Sequence, residues 1–490
     1  MRLMVEMQLQ GGRADPYYAD YTNPDPAVLI EAMRRRYGTD DLPVLLDRPS
    51  LAFTSPAPPP GVAPTPREAV LDRLPSLIAA VRFDNEAKAA NFFARVEAKG
   101  DRFASDPPIT ALGAAWNPFA DAPPLFHTRP AALALMHAQA LEAWDLRGQS
   151  VNLVFFDEGI SGAALAARFG RLSRGAAPPP LRFEGGWNVA QAIGPQPELE
   201  FKQDWDTPEP GFDKRQAGRA NPTSHGTMVA LNALSLAPAA RVFDLPVLPD
   251  RIRNVIPFAS FAAAALVWAR ADIAAWMVDA YPGRWVFCHA WGVFDRRLED
   301  PVGGYTTNPK SPLHAAVKEI DLQFQQDQVF AAGNGGQFLP HPYCGPGDIG
   351  PGRSILGVNS SPHALTAGAV RADGAWIGYS SQGPGQREFH EAVAVIQGMV
   401  EKPDLCAPSH FAEPDDAAFI SSGTSAACGM TAGAVAALRS ANSPLAALTP
   451  ADLRAHLRNT AQKPAGEPPG YDIRFGHGIL NLEAALQAPP

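Results

Sequence analysis

The hydrophobic pattern changes character twice along the chain. Residues 1–65 alternate short apolar segments with proline-rich linkers, and only 26–36 carries apolar positions at helical spacing. From residue 66 to about 119 the pattern tightens. Ser76-Leu77-Ile78-Ala79-Ala80-Val81-Arg82-Phe83 reads as a strand. Residues 85–99 then read as an amphipathic helix, with Ala89, Phe92, Phe93 and Val96 on one face and Gly100 as its stop. From about Ala131 the rhythm becomes strand, helix, strand, helix. Val151-Asn152-Leu153-Val154-Phe155-Phe156 is a nearly unbroken apolar run, as a strand buried on both faces requires. Similar runs occupy 241–247, 285–289, 328–332 and 364–370, and helical patterns occupy 227–236, 259–279, 311–326, 423–440 and 450–460. This alternation predicts the α/β class, a mainly parallel sheet with helices on both faces. The domains expected are a proline-rich extension over 1–65, a small α+β unit over 66–125 and the α/β domain over 130–490. No internal repeat is present.

Composition narrows the partners. The chain has 490 residues, 46% of them hydrophobic and 19% charged, which is ordinary for a globular protein. Proline is the outlier at 50 residues, with runs at 56–60 and 178–180 that suggest stiff surface loops. The net charge of -9, without a dense basic stripe, argues against a nucleic-acid partner. The first residues, Met1-Arg2-Leu3-Met4-Val5-Glu6-Met7-Gln8, lack the apolar run and small-residue cleavage site of a secretory signal. The longest apolar stretch, 258–269, is broken by Arg270 and Asp272 and is too short to span a bilayer. The expectation is therefore a soluble, cytoplasmic chain with no membrane partner; its oligomeric state is not legible. The cysteines, Cys288, Cys344, Cys406 and Cys428, form no CxxC or other metal-ligand spacing. They read as buried free thiols, with a bridge involving Cys344 left open.

Four short stretches carry candidate chemistry. Asp157 follows the first buried strand, at the carboxyl edge where parallel sheets meet their ligands. His225, in Ser224-His225-Gly226-Thr227, starts a predicted helix, whose positive end favours the neutral, proton-accepting imidazole. Asn334 lies on a glycine-flanked turn after the strand Val329-Phe330-Ala331-Ala332 and offers a side-chain amide. Ser425 heads a helix rich in small residues, where unpaired backbone N–H groups can stabilise a negatively charged oxygen. Each has an ordinary structural reading on its own: turn aspartate, capping histidine, turn asparagine, N-cap serine. Together they supply acid, base, oxyanion donor and nucleophile, the set that acyl transfer needs.

The order Asp157, His225, Ser425 is that of subtilisin. Here the chain resembles the subtilase family of serine peptidases over about 130–490. Lys402-Pro403-Asp404-Leu405-Cys406-Ala407-Pro408 is similar to the family's KPD-x-x-AP segment. Gly368-Ala369-Val370 with Ser380-Ser381-Gln382-Gly383-Pro384 is similar to its GAV and SS-x-GP segments, and Gly476-His477-Gly478-Ile479-Leu480-Asn481 to its closing turn. The resemblance implies a serine endopeptidase acting on polypeptides. Ser425 would be nucleophile, His225 base and Asp157 its orienting partner, with Asn334 and the Ser425 N–H as oxyanion donors. Ala290-Trp291-Gly292 would pair with the substrate backbone, and Ala331-Ala332-Gly333 would line the pocket for the residue before the cut. No cofactor is required; many members bind structural calcium, but no EF-hand-like loop is present and no metal ligand is assigned. A transpeptidase or macrocyclase using the same acyl-enzyme and an inactive peptide-binding scaffold are the alternatives.

Departures from the family pattern fall at Glu158 beside Asp157, at Leu231, at the bulky Trp291, expected to narrow the cleft, and at Gly429 in place of a proline. An acidic, proline-rich insert lies between 170 and 221. The resemblance also makes 66–125 either a removable propeptide or a permanent accessory unit, with Ser105-Asp106-Pro107-Pro108-Ile109 resembling the end of such a propeptide.

Overall fold

A computed structural model describes residues 1–11, 14–21, 23, 25–47, 74–111, 127–172, 182–189, 199–202, 224–248, 258–389 and 400–488. The proline runs at 56–60 and 178–180, and most of the insert between 170 and 221, lie outside the described residues.

The N-terminal sheet contains β1 (Arg2–Gln8), β2 (Val44–Asp47), β3 (Ser76–Arg82) and β4 (Arg102–Ser105), in the spatial order β2-β3-β1-β4. All its pairings are antiparallel, with Leu3 opposite Val81 and Met7 opposite Leu77 at its centre. Helices α1 (Pro26–Tyr37) and α2 (Glu86–Ala98) belong to the same unit. Both start on side-chain caps that fill orphan N–H groups: Asp25 accepts from Ala27 N, and Asn85 accepts from Ala87 N and Lys88 N. The chain order β-α-β-β-α-β makes this a split βαβ unit. The boundary placed at residue 65 divides a single sheet, because β1 and β2 lie before it and β3 and β4 after it. Residues 2–8 carry no alternating signal because five consecutive residues, Leu3 to Met7, are all buried.

The larger sheet contains β7 (Val151–Asp157), β8 (Arg182–Val189), β9 (Leu199–Lys202), β10 (Arg241–Pro246), β11 (Arg284–His289), β13 (Asp327–Ala331), β14 (Leu365–Val370) and β15 (Leu405–Pro408). Their order is β15-β14-β13-β11-β7-β10-β8-β9. The first seven run parallel, and β9 closes the edge antiparallel to β8. Strands β8 and β9 come from the insert, where the proline-rich composition concealed them. Three shorter strands, β6 (His127–Thr128), β16 (Phe411–Glu413) and β17 (Asp416–Ser421), form a separate sheet.

Alternate residues of the parallel strands feed two cores, one on each face. Leu153 and Phe155 join one cluster with Leu165 of α3 (Gly162–Leu172), α4 (His225–Leu234), α7 (Gly423–Leu438) and α8 (Pro450–Thr460). Val154 and Phe156 join the other, with α5 (Ala259–Asp272), α6 (Pro312–Leu322) and the N-terminal unit. The N-terminal unit thus shares a core with the main domain. At the seam Asp106 accepts from Ser260 N at 2.8 Å and Ser260 Oγ at 2.9 Å, capping the first turn of α5 from outside its own segment. Arg2 donates to the same carboxylate at 2.7 Å, and its guanidinium lies 3.6 Å from the centre of the Phe258 ring.

Helix α5 runs on through a π-helical turn, Ile273–Met277, to Ala280. The whole span, Ala259–Ala280, meets the length and composition of a membrane span but is mostly buried within the fold, as a core helix is. Asp272 sits at the junction, fully buried, accepting indole N–H bonds from Trp187 and Trp276. Burial pushes its carboxyl up to about 7 against the pull of those two donors. A raised carboxyl favours the folded state only while protonated, so its contribution is lost as pH rises from about 4 through about 7. Asp272→Asn should therefore gain stability relative to wild type as pH rises from 5 to 8, by at most about 3 kcal/mol, with no further gain above 8. Denaturant midpoints of both proteins across that range check it, and a pH-independent difference would contradict it.

Candidate active site

Three neighbouring strands deliver the site to one edge. In the order β13-β11-β7, their carboxyl ends lead to Asn334, to Ala290 and to Asp157. Each element of the Ser-His-Gly-Thr stretch then has a task. Ser224 caps α4 by accepting from Thr227 N at 3.2 Å. Gly226 leaves room for the loop after β7, since a Cβ there would stand 2.3 Å from Gly159 O and 3.2 Å from Asp157 Cβ. Thr227 Oγ1 accepts from Ser161 N at 2.9 Å and ties that loop down. His225 is left at the head of the helix, its Nδ1 2.7 Å from Asp157 Oδ1. With Nδ1–H donated to the carboxylate, Nε2 carries the lone pair, as a proton acceptor must. Glu158, the second carboxylate, accepts from His225 N at 3.3 Å, a position that the helix N-terminus favours.

Helices α4 and α7 lie side by side at unusually short range. A Cβ on Gly429 would fall 2.6 Å from Val229 O, and one on Gly433 would fall 2.2 Å from Ala233 O. The contacts pair 229 with 429 and 233 with 433, so one turn earlier His225 comes level with Ser425. This is the physical reason for Gly429: the close contact leaves no space for a proline ring. Ser425 is fully buried, and its Oγ donates to Ala290 O at 3.2 Å.

Asn334 is held by its carbonyl end. Its Oδ1 accepts from Thr424 N at 2.9 Å and from Thr424 Oγ1 at 3.0 Å, which turns the amide N–H₂ to the other side. Thr424 Oγ1 also accepts from Gly333 N at 3.1 Å. Ser381 supports the same turn, accepting from Gly335 N at 3.0 Å.

The strand ends at Trp291 and Ala331 are tied together by a residue with no sequence signal. Asn359 Nδ2 donates to Trp291 O at 3.0 Å and to Ala331 O at 2.7 Å. The Trp291 ring does not narrow the cleft as expected; it is buried in the core, edge-on to His289 and Phe330. Gly333 sits at φ +107, which suits glycine, and a Cβ there would meet Ser381 Oγ at 2.8 Å. The strand β12 (Trp291–Gly292) is already paired: β5 (Thr110–Ala111) lies antiparallel to it, with Ala111 opposite Trp291 and Thr110 opposite Gly292.

The Lys-Pro-Asp segment lies away from these groups, at the amino end of β15. Asp404 accepts from Lys402 Nζ at 2.6 Å and from Arg458 Nε at 2.6 Å. Burial opposes its ionisation, but Arg458 and Lys402 outweigh that and hold it down to about 2. For Lys402 burial is the larger effect and brings the ammonium down to about 8. The closing turn docks here, with His477 N donating to Asp404 O at 2.9 Å. All four cysteines are free thiols, and Cys344 forms no bridge. Among the described residues no group of three or more His, Cys, Asp or Glu gathers as a metal site.

The parallel sheet, with these groups at its carboxyl edge, defines a protein of the subtilisin-like α/β class. The Peptidase S8 model, described as the subtilase family, matches residues 189–478, more than half of the chain. The chain belongs to the subtilase family and is a subtilisin-like serine peptidase. No curated protein matches it. Among solved structures, fervidolysin from Fervidobacterium pennivorans, described as a keratinolytic enzyme related to subtilisin, aligns with a TM-score of 0.52 at 15% identity. That alignment covers 100% of this chain and 61% of that one, and the likeness is one of fold. MycP1 from Mycobacterium smegmatis aligns with a TM-score of 0.44 at 17% identity, covering 78% of this chain and 91% of that one.

The close helix contact makes a direct demand on stability. Gly429→Ala should destabilise the fold by about 1–3 kcal/mol, because the added methyl must push α4 and α7 apart. Thermal or denaturant unfolding of the variant checks this, and unchanged stability would show that the two helices separate without cost.

Proposed function

We propose that this peptidase is an endopeptidase that works through an acyl-enzyme on Ser425. The observation that carries the reading is the Asp157–His225 contact of 2.7 Å on a helix that packs in register with the one bearing Ser425. Ser425 Oγ attacks the peptide carbonyl carbon while its proton passes to His225 Nε2. The carbonyl oxygen becomes an oxyanion, taken by the Asn334 amide and the Ser425 N–H. Collapse breaks the C–N bond, and the leaving amine takes the proton from His225. Water then repeats the sequence on the ester, with His225 again as base and acid. Asp157 orients the imidazole and balances its charge when protonated. No step is routed through a metal.

Pairing of β5 on β12 supports the substrate mode. A polypeptide laid on Trp291–Gly292 in the same register brings its next residue opposite Ala290, beside Ser425 Oγ. It also supports reading the N-terminal unit as a propeptide-like occupant of the cleft, joined to β5 through Asp106-Pro107-Pro108-Ile109.

Three experiments test these readings. Cleavage of a peptide library, together with fluorophosphonate labelling, should be present in wild type and absent in Ser425→Ala. Asn334→Ala should lower kcat by ~10²–10³, a scale borrowed from the corresponding asparagine of subtilisin. Labelling that persists in Ser425→Ala would overturn the nucleophile, and ligated products without hydrolysis would replace the peptidase by a transpeptidase. Separately, wild type should lose its N-terminal unit after expression while Ser425→Ala keeps it. Identical full-length chains would end the propeptide reading.

A further inference from the structure

The first residue of the nucleophile helix, Gly423, is gripped by two hydroxyls that no part of the reaction scheme uses. Gly423 N donates to Tyr379 Oη at 3.1 Å, Tyr379 Oη lies 2.8 Å from Ser409 Oγ, and Ser409 Oγ donates to Gly423 O at 2.7 Å. Tyr379 and Ser409 are both buried. Tyr379 comes from the segment after β14, and Ser409 follows the last residue of β15. Three remote pieces of chain therefore meet at one glycine, which sits at φ +75.

The proton order in this ring is fixed. A carbonyl only accepts, so the Ser409 proton goes to Gly423 O. The Ser409 oxygen must then accept from Tyr379, whose proton is the one remaining. Tyr379 in turn accepts the backbone N–H, an orphan donor at a helix start. Each hydroxyl donates once and accepts once, so the ring is closed and its members polarise one another. Burial pushes the Tyr379 phenol up from its ordinary value, which keeps it in the protonated form the ring needs.

The consequence lies one bond further along. Gly423 C=O and Thr424 N–H belong to the same peptide plane. Ser409 holds that plane by its oxygen, and Asn334 Oδ1 holds it by its nitrogen at 2.9 Å. Rotating the plane would break both bonds together. We infer that Tyr379 and Ser409 are positioning residues for the oxyanion site, fixing through the Gly423–Thr424 peptide the orientation of the Asn334 amide and the start of the helix that carries Ser425. This rests on the peptidase reading above and adds to it two residues outside the reacting set. Neither hydroxyl touches β12, so the clamp acts on the reacting state and leaves substrate pairing alone.

Tyr379→Phe removes one oxygen and keeps the ring, which makes it the appropriate probe. The expected result is a fall in kcat of about tenfold with KM within about twofold of wild type, as a small misplacement of an oxyanion donor would cause. Ser409→Ala should match it, and the double variant should be little worse than either, because one break opens the ring. In an Asn334→Ala background the Tyr379→Phe loss should shrink markedly. A kcat within about twofold of wild type, or a loss as large without Asn334 as with it, would overturn the inference. Amide exchange of the peptide spanning Gly423, read by mass spectrometry, does not depend on peptidase activity. It should quicken in Tyr379→Phe. Unchanged exchange would overturn the clamp even if the chain hydrolysed nothing, so this failure and that of the peptidase reading remain distinguishable.

Discussion

The contact between α4 and α7 governs the site. Backbone carbonyls of one helix occupy the places where side chains of the other would stand, at Gly429 and Gly433. Such an approach fixes register as well as distance, because a slide of one residue would bring Cys428 or Met430 against Val229 in place of glycine. Once the register is set, the two helix starts lie level, and His225 and Ser425, 200 residues apart in sequence, reach the same height. The sheet supplies the other coordinate: three adjacent parallel strands end at Asp157, Ala290 and the Asn334 turn.

Around this centre the fold satisfies buried polar groups by borrowing partners from remote segments. Asp106 of the N-terminal unit caps α5, Asn359 joins Trp291 to Ala331, and Arg458 of α8 helps to hold Asp404. Breaking one partner of such a set leaves the other desolvated and unmatched, which costs more than the bond contributes when made. The family segments therefore divide by task. The Lys-Pro-Asp and closing-turn segments stabilise the amino end of β15. The Ser-Ser segment, although remote in sequence, braces the turn that carries Asn334.

The elements legible in the sequence are those whose own residues determine them. Val151 to Phe156 read as a central strand because both faces are apolar, and α7 read as a helix because its small residues run without a breaker. The four candidate positions, Asp157, His225, Asn334 and Ser425, stand out because each lies in a short stretch with its own glycine or cap. Strands β1 and β2 did not, since their partners lie some eighty and forty residues away and nothing local marks the pairing. Strands β8 and β9 were hidden by the proline-rich composition around them.

By itself, the sequence determined the class of the fold, the subtilase resemblance and the identity of the candidate reacting residues, because local pattern and short motifs encode those. Only the tertiary structure decided the N-terminal unit's single sheet, the burial of the Trp291 ring and the seating of β5 on β12. It alone revealed the contacts of Tyr379 and Ser409 with the first residue of α7, and those of Thr424 with Asn334. The reason is common to all of these. A hydroxyl or a glycine has no signature until its neighbour is known, and here each neighbour comes from a distant part of the chain, brought close only by the packing of two helices on one sheet.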